Sequence, residues 1–115
     1  MKKAYHLAQC STCQRIIREV NWKGQLQEIR TEKISEEQLD QMAKMSGSYE
    51  SLFSRRALKY KSMGLKDKVL SEMDYRQLIL EEDTFLKRPV FIVNHKIFVG
   101  NSNKTIEELS SVMNE

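Results

Sequence analysis

Residues 3–20, KAYHLAQCSTCQRIIREV, hold the change of pattern that decides the fold. Lys3 to Leu7 alternate weakly through Ala4, Tyr5, His6 and Leu7, as a short buried strand does. From Thr12 onward the period changes. Cys13, Ile16, Ile17 and Val20 fall at i, i+3, i+4 and i+7, one face of a helix. The Cys10-Ser11-Thr12-Cys13 pair therefore sits where a strand hands over to a helix. Gly24 is expected to stop that helix, and Leu26 to Arg30 to form a second short strand.

Farther along, Ser35 with Gln38 three residues on is a capping-box start. Its helix should run to about Met45, with Leu39, Met42 and Ala43 inward and Gly47 at its end. A short helix is expected from Ser48 to about Arg56, then an irregular stretch Tyr60–Leu65 containing Gly64. Ser71 with Asp74 opens another helix, carrying Tyr75, Leu78 and Ile79. Arg88-Pro89 breaks the pattern, because proline disfavours helix at the residue before it. Val90-Phe91-Ile92-Val93 reads as a fully apolar central strand, Asn94-His95 as a tight turn, and Lys96 to Val99 as the returning strand. Gly100 leads into a last helix, capped by Ser102 or Asn103, with Ile106, Leu109 and Met113 on one face.

The order is βαβ, then helices, then ββα. That is an α/β chain with a four-stranded mixed sheet in the thioredoxin-like arrangement, and a helical insertion at about 34–84 between its halves. Its 115 residues suit one domain, 1–115, with one modest core.

Composition narrows the function classes. The chain is 40% hydrophobic and 30% charged. No apolar run approaches the roughly 20 residues that span a bilayer. The opening MKKAYHLAQC lacks the apolar core of about 7–15 residues found in a secretory signal. No membrane partner is expected, and the cytoplasm is the expected location. A net charge of +3 does not by itself imply nucleic acid, and no direct contact with it is expected. The charge is uneven: Arg55, Arg56, Lys59, Lys61, Lys66 and Lys68 stand against Asp67, while Ser71 to Asp83 is acidic apart from Arg76. The basic stretch suits an anionic substrate or an acidic protein surface; a solvated face is the plainer reading.

Both cysteines lie in the one CxxC, which in a reducing cytosol is not a structural disulfide framework. A closed zinc site takes four ligands, and His6 and His95 lack the paired spacing, so no metal is expected. The placement favours thiol chemistry instead. The first cysteine stands just ahead of a helix N-terminus, where unsatisfied N–H groups and the helix dipole favour an anion. The thiolate is the nucleophile, and an ordinary thiol with a pKa near 8.5 is only a few per cent ionised at neutral pH. Cys13, one turn along on the apolar face, should be more buried. Cys10 is thus expected to attack and Cys13 to resolve the adduct as an intramolecular disulfide. In a thioredoxin-like fold the pair before the third strand packs against the CxxC, often through a cis X-Pro bond, which places Pro89 at the site. Arg88 would then aim its guanidinium at Cys10, lowering its pKa and offering a fork to an oxyanion.

YHLAQCSTCQRII, SLFSRRALKYKSMGL, LKRPVFIV and KIFVGNSNKTIEEL, in that order, span nearly the whole chain. Together they resemble the arsenate reductase (ArsC)/Spx family. The resemblance implies the family fold, with Cys10 at the catalytic cysteine and Arg88 at the arginine beside the family's proline. Ser11, Thr12, Arg55, Arg56 and Pro89 are the expected substrate-binding residues. Glutaredoxin-dependent arsenate reductases place two further arginines around the oxyanion. Here Ser54, not Arg55, falls at the first of these positions, and no arginine stands near Gly100 at the other. Arg55 or Arg56 is left to substitute from one position along. No bound cofactor is implied; glutathione, a glutaredoxin or a thioredoxin would be the reductant. Those reductases use one cysteine, whereas Spx-like members carry a CxxC redox switch. The resemblance therefore leaves three readings: an arsenate-reductase-like thiol oxidoreductase, which leads; an Spx-like redox-sensing regulator that binds the RNA polymerase α subunit, with the basic 55–68 stretch as the contact; or a catalytically quiet member in which the CxxC only stabilises the fold.

Overall fold

Four strands, β1 (Lys2–His6), β2 (Gln25–Glu28), β3 (Val90–Val93) and β4 (Lys96–Val99), form one sheet in the order β2-β1-β3-β4 in the computed structural model, which describes residues 1–114. β1 runs parallel to β2, with Ala4 opposite Leu26, and antiparallel to β3, with Ala4 opposite Phe91. β3 and β4 form the antiparallel hairpin, with Phe91 opposite Phe98. The apolar run of β3 is buried at every position, as a strand covered on both faces must be, while the edge strands β2 and β4 bury only part of theirs. This is the mixed α/β sheet and the thioredoxin-like fold expected of the order of elements.

Helix α1 (Ser11–Glu19) makes the crossover between β1 and β2, and α5 (Asn103–Met113) closes the chain. Ile16 from the first helix, Val20 just past its end and Leu109 from the last helix meet Ala4, Phe91, Val93 and Phe98 of the sheet in one buried cluster. Trp22 packs on Phe91 with ring centroids 4.9 Å apart. Ser102 caps α5, its hydroxyl accepting the Thr105 N–H.

Gly24 does not stop α1. The helix ends at Glu19, and Asn21 takes the left-handed turn with φ of 52°. Asparagine tolerates that region well. Gly24 serves a close approach instead: a β-carbon there would lie 2.5 Å from the Lys2 carbonyl oxygen.

Two compact units divide the chain, one comprising residues 1–33 with the chain from Arg88 onward, the other residues 34–87. The second is helical: α2 (Glu36–Ser46), α3 (Leu58–Ser62) and α4 (Glu72–Glu81), with 3-10 turns at Glu50–Leu52, Leu65–Asp67 and Asp83–Phe85. Ser35–Gln38 and Ser71–Asp74 both form full capping boxes, and Gly47 ends α2 with φ of 110°. The helix expected from Ser48 to Arg56 is only the turn Glu50–Leu52. Phe53 is extended and bridges to Leu86, and it stacks on Phe85 at 5.0 Å and against Tyr75 at 4.9 Å. Conversely, the stretch from Tyr60, expected to be irregular, begins inside α3 and turns at Gly64 with φ of 68°. Arg76 ties α4 to α2, its Nε 2.9 Å and its Nη2 3.2 Å from the two Asp40 carboxylate oxygens. Among the described residues, no helix is long and apolar enough to cross a membrane.

Candidate active site at the start of the first helix

Strand β1 delivers the chain to a tight loop in which the Cys10 N–H donates to the Leu7 carbonyl at 3.1 Å. Cys10 is the N-cap of α1, with φ and ψ of −86° and 104°, and its sulfur accepts the Cys13 N–H at 3.3 Å. Serine or aspartate commonly fills this role; here the acceptor is a sulfur, and any negative charge on it faces the positive end of the helix. Cys10 is partly exposed and Cys13 fully buried, and both are free thiols.

That difference separates their acidities. Burial works against an anion at Cys10. It is outweighed by hydrogen bonds from the side chain and backbone of Cys13 and by the charge and hydrogen bond of the Arg88 guanidinium, so the thiol falls below its ordinary range. At Cys13 burial dominates; the hydrogen bond and charge of Cys10 add to it, and the thiol is pushed up to about 12.

The Arg88–Pro89 peptide is cis, and Pro89 is buried at the start of β3. The loop after β4 holds this pair: the Gly100 N–H donates to the Pro89 carbonyl at 2.9 Å, and the Asn101 side chain to the Arg88 carbonyl at 3.4 Å. Gly100 has φ of 87°, the left-handed region that favours glycine. Ser11 is exposed and Thr12 partly so in the first turn of α1, where backbone N–H groups lack intrahelical acceptors.

Cys10, Ser11, Thr12, Cys13, Arg88 and Pro89 all belong to the sheet unit, and Arg55 and Arg56 to the helical one. Arg55 is engaged there: its guanidinium donates to Glu50 at 2.9 Å and to the Tyr75 hydroxyl at 3.1 Å. Arg56 is exposed. Among the described residues no three His, Cys, Asp or Glu side chains cluster as metal ligands.

Two residues of the site went unnoticed in the sequence. Glu28, at the end of β2, accepts the Ala8 N–H at 2.7 Å with one oxygen and the Arg30 and Thr31 N–H groups at 2.9 and 2.8 Å with the other. These bonds, led by that from Ala8, hold its carboxyl down at about 2. Gln14 donates its amide to the Leu7 carbonyl and lies 3.1 Å from His6 Nδ1, bracing the same loop. An acidic residue ending a strand just before Arg30-Thr31 was the available signal for Glu28; its link to Ala8 was not visible.

The ArsC family model matches residues 5–109. No curated protein matches closely enough to count as a relative. Among solved structures, an ArsC family related protein from Bacteroides fragilis is similar, with 23% identity, a TM-score of 0.78, and 94% of this chain and 96% of that chain covered. An arsenate reductase from Vibrio cholerae shares 18% identity at a TM-score of 0.79, again covering 94% of this chain and 96% of its own. An arsenate reductase (ArsC) related protein from Brucella melitensis shares 20% at 0.71, covering 93% and 92%. At these identities the likeness is one of fold.

Proposed function

The chain belongs to the ArsC family, and from that premise we propose that it is a thiol-dependent oxidoreductase in which Cys10 attacks and Cys13 resolves. The observation that carries this reading is the split between the two thiols. One is partly exposed, capped by a helix N-terminus and lowered with the help of Arg88; the other is buried within the same turn and pushed up to about 12.

The chemistry balances as follows. The Cys10 thiolate attacks one sulfur of an oxidised partner disulfide, forming a mixed disulfide and expelling the other sulfur as a thiolate. Cys13 loses its proton and attacks Cys10 Sγ, releasing the second thiolate. The partner has gained two electrons, and the protein holds them as a deficit in a Cys10–Cys13 disulfide. Glutathione, a glutaredoxin or a thioredoxin restores both thiols by the same exchange. Formation of the mixed disulfide also removes the Cys10 charge that opposes ionisation of Cys13.

Arsenate is a weaker substrate in this reading. One guanidinium, Arg88, acts on Cys10, and Arg55 is bound to Glu50 and Tyr75. A tetrahedral oxyanion bound by one fork instead of three is held loosely. Turnover of arsenate with glutathione and glutaredoxin should be slow at best, and brisk turnover would defeat this part of the argument.

The direct test is the rate of Cys10 alkylation by iodoacetamide against pH. The rate should level off at a lower pH than for an ordinary thiol, while Cys13 stays unmodified in the folded protein. A Cys10 that titrates like free cysteine, or higher, overturns the proposal. Oxidation by a small disulfide should then yield a species lighter by two hydrogens than the dithiol chain.

A further inference from the structure

The turn that ends at Cys10 is held from outside itself. The bond from the Cys10 N–H to the Leu7 carbonyl closes it, which makes Ala8 and Gln9 its two central residues. The closing bond leaves the N–H of the first central residue without a partner inside such a turn. Both central residues are exposed, yet each is tied to the stretch that follows β2. The Ala8 N–H donates to Glu28 Oε2 at 2.7 Å, and the Arg30 guanidinium donates to the Gln9 side-chain oxygen at 3.3 Å. A third bond, from the Ile29 N–H to the His6 carbonyl at 2.9 Å, fastens the same stretch to the end of β1.

Glu28 uses both carboxylate oxygens at once. Oε1 accepts the Arg30 and Thr31 N–H groups at 2.9 and 2.8 Å and the Thr31 hydroxyl at 3.2 Å, while Oε2 takes Ala8. An acid that only closed its own turn would need the first oxygen alone. The second oxygen crosses to the turn that sets the backbone of Cys10, the N-cap whose sulfur accepts the Cys13 N–H at 3.3 Å. The Leu7 backbone at the other end of that turn also bonds the Cys13 thiol. A displaced turn is therefore felt at both sulfurs.

We propose that Glu28 is a positioning residue for Cys10: its carboxylate bridges the turn after β2 to the Leu7–Cys10 turn and keeps the Cys10 sulfur aligned with the Cys13 N–H. This role rests on the thiol chemistry proposed above and adds to it a residue that acts on the sulfur through the backbone. The sign of the effect separates positioning from charge. A carboxylate acting by its charge alone opposes a nearby thiolate, so its removal would move the Cys10 titration to lower pH. Lost alignment weakens the Cys13 N–H bond that favours the thiolate, and moves the titration to higher pH. Glutamine discriminates between the two, because its single acceptor oxygen cannot serve both sets of donors and its NH₂ cannot accept.

The test follows iodoacetamide alkylation of Cys10 against pH in the full chain, with amide exchange at Ala8 and urea unfolding alongside. Glu28→Gln should move the alkylation curve to higher pH and speed Ala8 exchange about tenfold. Glu28→Asp keeps the charge and both oxygens on a shorter arm, so its curve should fall between those of the parent and Glu28→Gln. Gln9→Ala, at an exposed position, removes only the bond from Arg30. It should shift the curve the same way by less, and it carries the test if Glu28→Gln does not fold. Gly24→Ala strains the sheet unit at Lys2 instead, and should lower the urea midpoint while the alkylation curve stays in place. A curve unmoved or moved to lower pH in Glu28→Gln, unchanged Ala8 exchange, or an equal shift in Gly24→Ala would overturn the proposal. A parent Cys10 that titrates like free cysteine defeats the thiol chemistry and this role with it. A lowered parent matched by its Glu28 variants defeats the positioning role alone.

Discussion

At the scale of single residues, the Cys10 sulfur accepts a hydrogen bond from the Cys13 N–H and feels the Arg88 charge, while burial opposes both. Removing the guanidinium should therefore let burial gain. Arg88→Ala should raise the Cys10 pKa, read as a shift of the whole alkylation–pH curve to higher pH. Arg88→Lys should recover part of the shift, because it restores charge without the planar fork; an unmoved curve in both variants would mean that the guanidinium does not act on the sulfur. Cys13→Ser should leave the first attack intact and stop the second, so that a mixed disulfide with the partner thiol accumulates and is found by mass spectrometry. These residues were legible in the sequence because their types are reactive and their spacing places them at a helix start. Glu28 was not, because its role lies in bonds to backbone N–H groups, one of them at Ala8 on the far side of the crossover helix.

Whole elements were legible where their own ends carry the instructions. Ser35 with Gln38 and Ser71 with Asp74 bond reciprocally within one turn, and both helices start where those pairs predict. Ser35→Ala should cost about 1 kcal/mol in urea unfolding. The segment after Gly47 was misread because tertiary pairing overrides local pattern there. Phe53 gains more from Leu86, Phe85 and Tyr75 than from another helical turn. Gly24 shows the same limit: its need for a missing β-carbon arises from Lys2, a strand away. Gly24→Ala should accordingly destabilise the protein by about 1–3 kcal/mol, since the obstacle is a backbone carbonyl that the β1–β2 pairing holds. A loss near zero would show that β1 shifts freely at its first residues.

For the molecule as a whole, both units rest on carboxylates that folding holds ionised. Glu28 is lowered by the Ala8, Thr31 and Arg30 N–H groups in the sheet unit. In the helical unit Asp40 is lowered by Arg76, Asp74 by Ser71 and Glu82 by Lys59. The unfolded chain takes up these protons at a higher pH than the folded one, so stability is full above the ordinary carboxylate range and is lost as pH falls below it. For Glu28 the window runs from its usual 4.5 down to about 2. Trp22, the chain's one tryptophan, packs on Phe91 in the same unit as Glu28, so its fluorescence reports that unit. Urea midpoints followed by Trp22 should hold steady from neutral pH to about pH 5 and fall steeply toward pH 3. Glu28→Gln keeps an oxygen acceptor but has no charge to lose, so its midpoint should be lower at pH 7 and its fall between pH 5 and pH 3 visibly shallower. A variant whose curve runs parallel to the parent's would place the acid sensitivity of the sheet unit elsewhere than in the carboxylate that anchors the loop before Cys10.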